Sequence, residues 1–185
     1  YTNAVLQEID HYAAIVGSRP VTSFYIGGGT PTTMLQTGLP RILAAIYRTF
    51  NMQCSIHMES HPNDLSAANL NTVVDIGVNH LSIGAEALQD PHLRTLCRPY
   101  TVTEATGAIA RAVSKGFQCV NVDLMFALPN QTHTELAAAA QTLINLDVNQ
   151  ISSYPLFSFP YTKWPLLARR HHYRRYTLLE KRRML

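Results

Sequence analysis

The chain has 185 residues, of which 46% are hydrophobic and 15% charged, which suffices for one domain with its own core and excludes a disordered or low-complexity polypeptide. No apolar run reaches bilayer length and no basic-then-apolar leader opens the chain. A membrane or secreted protein is therefore not expected, and the three cysteines, Cys54, Cys97 and Cys119, form no C-x-x-C and read as reduced, packed thiols of a cytoplasmic protein, not as a metal site. The net charge of +3 is unevenly spread: Lys163, Arg169, Arg170, Arg174, Arg175, Lys181, Arg182 and Arg183 are eight of the fifteen basic residues, which leaves 7 basic against 11 acidic groups, or −4, over residues 1–162.

Residues 1–17 predict an amphipathic helix, with Val5, Ile9, Tyr12 and Ile15/Val16 on one face and Gly17 as its stop. A loop over 18–20 leads to a first strand, residues 21–27. Residues 39–50 return to helix, where Leu39, Ile42, Leu43 and Ile46 share one side. In a second strand, 53–60, Cys54, Ile56 and Met58 alternate with Ser55, His57 and Glu59 until Pro62 ends it. A short helix over 65–76 stops at Gly77, and a third strand covers 80–86. Thr103 is the expected cap of the next helix, which runs to Ser114 with Gly116 beyond it. Residues 119–126 form an almost continuous apolar strand broken by Asn121 and Asp123. Pro129-Asn130 turns the chain into an alanine-rich helix over 132–146, and a fifth strand spans 150–157. A loop over 160–165 precedes a basic helix that closes the chain. The organisation predicted is a core over 1–162, then a basic helix over 163–185 that begins a further region. That tail is a possible contact for nucleic acid or another anion, but Tyr173, Tyr176, Leu178 and Leu179 at helical spacing read better as a solvated amphipathic helix, so a nucleic-acid partner is not expected.

Strands alternating with helices imply an α/β fold of βαβ units with a parallel sheet. Five strands do not close the usual barrel of about eight, so the object is a partial parallel (β/α) barrel, a doubly wound sheet or a fragment. Ligands of parallel sheets sit at the carboxyl ends of the strands, and the polar residues gather there: Gly27-Gly28-Gly29-Thr30, then Glu59-Ser60-His61, Gly84-Ala85-Glu86, Asp123, and Ser153-Tyr154. Three successive glycines expose bare backbone to a ligand, and Pro31 biases Thr30 towards an extended, stiff conformation. Neither G-x-G-x-x-G nor a P-loop is present.

Tyr25-Ile26-Gly27-Gly28-Gly29-Thr30-Pro31-Thr32 resembles the glycine motif of the radical S-adenosylmethionine enzymes related to oxygen-independent coproporphyrinogen III oxidase. Glu59-Ser60-His61-Pro62, Asn79-His80-Leu81-Ser82-Ile83-Gly84 with Arg98, the stretch from Asn121 to Thr132, and Ile151-Ser152-Ser153-Tyr154 are similar to further blocks of that family, in order, over about residues 1–160. The resemblance implies a partial radical SAM barrel that binds S-adenosylmethionine: backbone of Gly28 and Gly29 at the amino end of the methionine moiety, Thr30 in support, and Arg98 on the carboxylate. It also implies Asp123 on the ribose hydroxyls, Glu59 at the cofactor or a second bound molecule, Glu86 as a possible ribose acceptor, and the surface near Phe157 against the adenine.

The departures are Glu86 where the family has glutamine, His80 for arginine, Ala127 for glycine, and Pro160-Tyr161-Thr162 for Pro-Gly-Thr. Glu86 is expected to lie near Asp123, where like charges raise a pKa or weaken binding. The family's C-x-x-x-C-x-x-C motif for a [4Fe–4S] cluster is absent, so the chain is expected to be an internal piece of a longer protein. The first barrel strand and cluster loop would precede Tyr1, and a C-terminal domain would follow. The resemblance then implies a reduced cluster that splits S-adenosylmethionine into methionine and a 5′-deoxyadenosyl radical, with an electron donor such as flavodoxin or ferredoxin. It further implies oxidative decarboxylation of a porphyrinogen in haem biosynthesis, the 185 residues alone being inactive. Its alternatives are a haem chaperone or a methyltransferase of the same family. A non-catalytic nucleic-acid-binding or scaffold domain is the reading of another class.

Overall fold

The computed structural model describes residues 1–162, 164–173 and 176–184. Along the strand Cys119–Phe126 every second residue is buried, so Val120, Val122 and Leu124 pack under helices while Asn121, Asp123 and Met125 occupy the opposite face. The same division runs through Ile56–Ser60, where Ile56 and Met58 are buried and His57 and Glu59 are not, and through Val78–Glu86, where Leu81 and Ile83 are buried against His80, Ser82 and Gly84. The parity of each strand thus builds an apolar face for helices and a polar face for a lumen.

In chain order the elements are α1 (Thr2–Val16), β1 (Pro20–Val21), β2 (Phe24–Ile26), α2 (Leu39–Thr49), β3 (Asn51–Met52), β4 (Ile56–Ser60), α3 (Ala67–Asp75), β5 (Val78–Glu86), α4 (Asp90–Thr95), α5 (Val102–Val113), β6 (Cys119–Phe126), α6 (His133–Asn145), β7 (Gln150–Pro155), α7 (Trp164–Arg170) and α8 (Leu178–Arg183). The main sheet has five strands in the order β2-β4-β5-β6-β7, every pair parallel. The order never reverses, so the sheet is the arc of a (β/α) barrel and not a doubly wound sheet, which needs a switch point. The core lies between this arc and its helices: Ile56, Met58, Leu81, Ile83, Val122 and Leu124 meet Leu43, Leu70, Val73, Ile109 and Leu143. Ala105, Ala108 and Ala112, all buried on α5, let that helix approach the sheet closely.

Several boundaries differ from expectation. The first predicted strand is two pieces. Pro20–Val21 pairs with Asn51–Met52 in a separate parallel ribbon, and only Phe24–Ile26 enters the main sheet, so the second predicted strand also starts late, at Ile56. The cap of α5 is Thr101, not Thr103: its hydroxyl accepts from the Glu104 N–H at 3.3 Å while the Glu104 carboxylate accepts from the Thr101 N–H at 2.7 Å. Strand β7 stops at Pro155, which brings no N–H to a ladder, so Phe157 lies beyond it. The single closing basic helix is two short ones, and Lys163, Arg174 and Arg175 of the basic tail lie outside the described residues. Leu178 and Leu179 are exposed, but Met184 is buried against Phe126 and Ala127, and the Tyr176 hydroxyl donates to the Gln131 carbonyl at 2.9 Å. The tail therefore docks on the barrel through a few anchors.

Candidate functional site

The carboxyl ends of the strands surround a cavity of about 270 Å³, lined by Gly29, Thr30 and Pro31 after β2, Glu59 and Ser60 from β4 with His61 just beyond it, Ser82, Gly84 and Glu86 from β5, Asp123 of β6, Tyr154 of β7, and Arg98. Each arrives by a local device. Gly28 has φ 109°, a left-handed value that suits glycine, and its N–H donates to Glu59 Oε2 at 3.1 Å. A Cβ on Gly27 would lie 2.8 Å from the Tyr25 ring and 3.0 Å from the Glu59 carboxyl carbon, so a side chain here would push both groups from their places. At Gly29 a Cβ would meet nothing within 4 Å; the space there is open to the cavity. Thr30 is extended (φ −125°, ψ 93°) before Pro31, and Thr32 Oγ1 donates to Asp64 at 2.6 Å, which ties the turn to the loop after β4.

Glu86 and Arg98 meet through two backbone irregularities. The β5–β6 register slips between Gly84 and Glu86, and Glu86 sits at φ 65°, so the bulge turns the end of the strand and re-aims this carboxylate. The Tyr100 hydroxyl pins the bulge by donating to the carbonyls of Gly84 and Ala85 at 3.0 and 3.1 Å. Helix α4 ends with Cys97 at φ 54° and the Arg98 N–H returned to the Leu93 carbonyl at 2.9 Å, a Schellman-type reversal that swings Arg98 to the mouth. Arg98 Nη2 donates to Glu86 Oε1 at 2.8 Å, and the Tyr154 hydroxyl donates to Glu86 Oε2 at 3.0 Å. The Arg98 Nε is buried and has no hydrogen-bond partner among the described residues.

Asp123 is held on the lumen side of β6 by Asn121 Nδ2 at 2.9 Å and the Ser82 hydroxyl at 3.4 Å. Burial raises its carboxyl above the usual range against those two hydrogen bonds, with the charge of Glu59 adding to the rise. Burial also raises Glu86; the Arg98 charge and the Tyr154 bond pull it back, and Asp123 pushes it up again, as the two close carboxylates imply. Burial and the Glu59 hydrogen bond push the Tyr25 phenol up to about 12, and burial carries Tyr100 to about 12. His61 is lowered by burial and then by the Arg98 charge, Asp64 opposing. The wall is thus three carboxylates facing one guanidinium. It suits a ligand that carries positive charge together with one anionic group.

Of the residues read as site residues from the sequence, Gly29, Thr30, Glu59, Glu86, Arg98 and Asp123 line this one cavity. Gly28 stands behind it with its N–H spent on Glu59. Phe157 is outside the lining, 53% exposed and stacked on Phe159 at 5.9 Å between ring centres. The sequence reading left Tyr25, Ser82, Asn121 and Tyr154 without roles, although their strand parity is that of Glu59 and Asp123 and marks them as lumen residues. A second cavity, about 220 Å³, shares Ser82 and Asp123 with the first and is lined by Tyr25, His57, His80 and Asn121, the two imidazoles stacked 4.1 Å apart. Cys54 precedes β4, Cys97 follows α4 and Cys119 opens β6; all are free thiols, and among the described residues no group of three His, Cys, Asp or Glu is placed to hold a metal ion. Among the described residues no helix is long and apolar enough to cross a membrane.

The profile of the radical SAM superfamily matches residues 1–143. The chain is 33% identical over 165 residues to a protein of Bacillus subtilis (strain 168) named heme chaperone HemW, covering 88% of this chain and 44% of that protein. It is 26% identical over 162 residues to the oxygen-independent coproporphyrinogen III oxidase of Salmonella typhimurium, covering 86% of this chain and 35% of that enzyme. The structure of coproporphyrinogen III oxidase (HemN) from Escherichia coli superimposes with a TM-score of 0.84 at 23% identity, over 100% of this chain and 43% of that one. The chain therefore spans less than half the length of the relatives it matches.

Proposed function

Since the chain belongs to the radical SAM superfamily, we propose that the mouth described above is its S-adenosylmethionine site, in the core of a haem-handling protein. The observation that carries this reading is the charge pattern of the wall. S-adenosylmethionine presents a sulfonium, an ammonium and one carboxylate; Glu59 and Asp123 offer negative charge to the first two and Arg98 its guanidinium to the third, around a single cavity. Open space at Gly29 admits the ligand against bare backbone. In this proposal Arg98 receives the carboxylate, and Asp123, fixed by Asn121 and Ser82, accepts from ribose hydroxyls. Thr30 and the Gly28–Gly29 backbone border the methionine end. Glu59, already holding Tyr25 and the Gly28 N–H, keeps the glycine turn in place and faces the ligand with its charge. Phe157 would reach an adenine only by leaving its stack on Phe159.

Superfamily membership also implies a [4Fe–4S] cluster, which supplies one-electron chemistry when bound. The three separated cysteines of this chain do not fit it. For the whole protein, the 33% identity to a protein named heme chaperone HemW supports a haem chaperone. The 26% identity to a coproporphyrinogen oxidase supports the second reading, oxidative decarboxylation of a porphyrinogen. Equilibrium dialysis of labelled S-adenosylmethionine against the chain tests the first level. Arg98→Ala and Asp123→Ala are each expected to weaken binding about tenfold, roughly 1.4 kcal/mol; equal affinity in both variants refutes the assigned roles. Haem titration of the full-length protein, beside an assay of porphyrinogen decarboxylation, separates the two readings of the whole.

A further inference from the structure

Among the described residues Arg98 is the one arginine that lines the mouth, and Glu86 occupies it. Its Oε1 takes the Arg98 guanidinium at 2.8 Å and its Oε2 takes the Tyr154 hydroxyl at 3.0 Å, in a position that is buried and set by a strand bulge at φ 65°. An anionic group that enters the cavity and seeks Arg98 meets a carboxylate already there. We propose that Glu86 is the specificity-determining residue of this mouth: a ligand's carboxylate displaces it from Arg98, the displaced Glu86 takes up a proton, and a carboxylate-bearing ligand therefore binds together with a proton. This inference rests on the S-adenosylmethionine reading of the site.

The geometry makes neutralisation the favourable outcome. Once parted from Arg98, Glu86 would be an ionised carboxylate in a buried site, whose charge burial penalises heavily. Among the described residues Arg98 is its one cationic neighbour. The groups that remain are Tyr154 from β7, a donor but neutral; Asp123 from β6, a like charge; and Tyr100, whose hydroxyl is turned to the Gly84 and Ala85 carbonyls. Farther round the cavity stand Glu59, again a like charge, and His61, which burial and Arg98 hold towards its neutral form. Nothing among these described neighbours replaces the guanidinium. The proton comes from solvent, and the protonated carboxyl keeps an acceptor oxygen for Tyr154 while gaining a donor for the ligand. A glutamine at this position would give Arg98 up without any proton, so the carboxylate itself couples binding to pH.

The sign follows. The ligand-bound form binds Glu86's proton more tightly than the free form, so affinity falls as pH rises between the two pKa values, by up to about tenfold per pH unit. A ligand without a carboxylate leaves the Glu86–Arg98 pair intact and shows no such slope.

The test is isothermal titration calorimetry of the chain in two buffers of different ionisation heat, over pH 5–9, with S-adenosylhomocysteine and with 5′-methylthioadenosine, which lacks the amino-acid end. The expected result is net proton uptake and a falling affinity with S-adenosylhomocysteine, neither of them with methylthioadenosine, and loss of both in Glu86→Gln with binding retained. Binding of S-adenosylhomocysteine with no proton uptake, or uptake that persists in Glu86→Gln, overturns the inference while leaving the site assignment intact. Failure of both ligands to bind the folded wild-type chain sinks the site assignment itself.

Discussion

At the scale of single residues, neighbouring glycines make opposite predictions. Gly27→Ala drives a methyl into the Tyr25 ring and the Glu59 carboxyl, so it should lower stability by about 1–3 kcal/mol in a denaturant titration. Gly29→Ala meets nothing, so its stability should stay within about 0.5 kcal/mol of wild type, while S-adenosylmethionine affinity drops because the methyl stands in ligand space. Glu86 yields a pH prediction. Its carboxyl is raised in the folded protein, so the folded state holds the proton more tightly than the unfolded chain; stability from this group is greatest in acid and is lost as pH rises through the folded pKa. The stability of Glu86→Gln relative to wild type should therefore improve from pH 4 to pH 7 in paired thermal melts, and a flat difference contradicts the burial argument. Much of the mouth was legible at this scale, because Glu59 and Asp123 fell in motifs on strands and Arg98 trailed the block of the third predicted strand. The Glu86–Arg98 pair was not, since it depends on a bulge and on Cys97 at φ 54°, neither of which leaves a pattern in residue types. Ala127, where the resembled family has glycine, also takes a left-handed φ of 58°, a conformation that explains the family's preference.

At the scale of elements, the starts of α5 and α6 follow one rule. Thr101 with Glu104 and Thr132 with Glu135 form reciprocal capping boxes, and in each the hydrogen bonds from the threonine hold the glutamate carboxyl below its usual range. A depressed carboxyl contributes stability that is present above its unfolded pKa and is lost as pH falls through the folded one. Amide exchange at the first turns of α5 and α6 should thus accelerate below pH 4 before the sheet amides do, and uniform acceleration across helices and sheet contradicts the caps. The box also shows why Thr103 was the wrong cap: Thr-x-x-Glu is satisfied at Thr101, two residues earlier, and the apolar periodicity alone does not see it. Strand boundaries failed for a different reason. The predicted strands 21–27 and 53–60 each read as one continuous segment, and only pairing partners divide these stretches between the short ribbon and the main sheet.

At the scale of the molecule, the sequential strand order turns five lumen-facing parities into one polar wall, and this follows from topology that no local pattern encodes. The alternation of Asn121 and Asp123 with Val120, Val122 and Leu124 was visible in the sequence as an interrupted apolar run, but which neighbours those polar groups would meet was not. The arc is held from its apolar side, so Leu143→Ala, which removes a fully buried side chain between α6 and the sheet, should lower stability by about 2–5 kcal/mol without altering which ligands the mouth accepts. Gly29, Thr30, Arg98 and Asp123 are proposed to enclose an S-adenosylmethionine site. Its most direct test is an amide chemical-shift titration of the isotopically labelled chain with S-adenosylmethionine. Saturable shifts centred on residues 28–30, 59, 86, 98 and 123 are expected; shifts confined to the second cavity at His57 and His80 or to residues 157–161, or no shifts at all, would contradict that site.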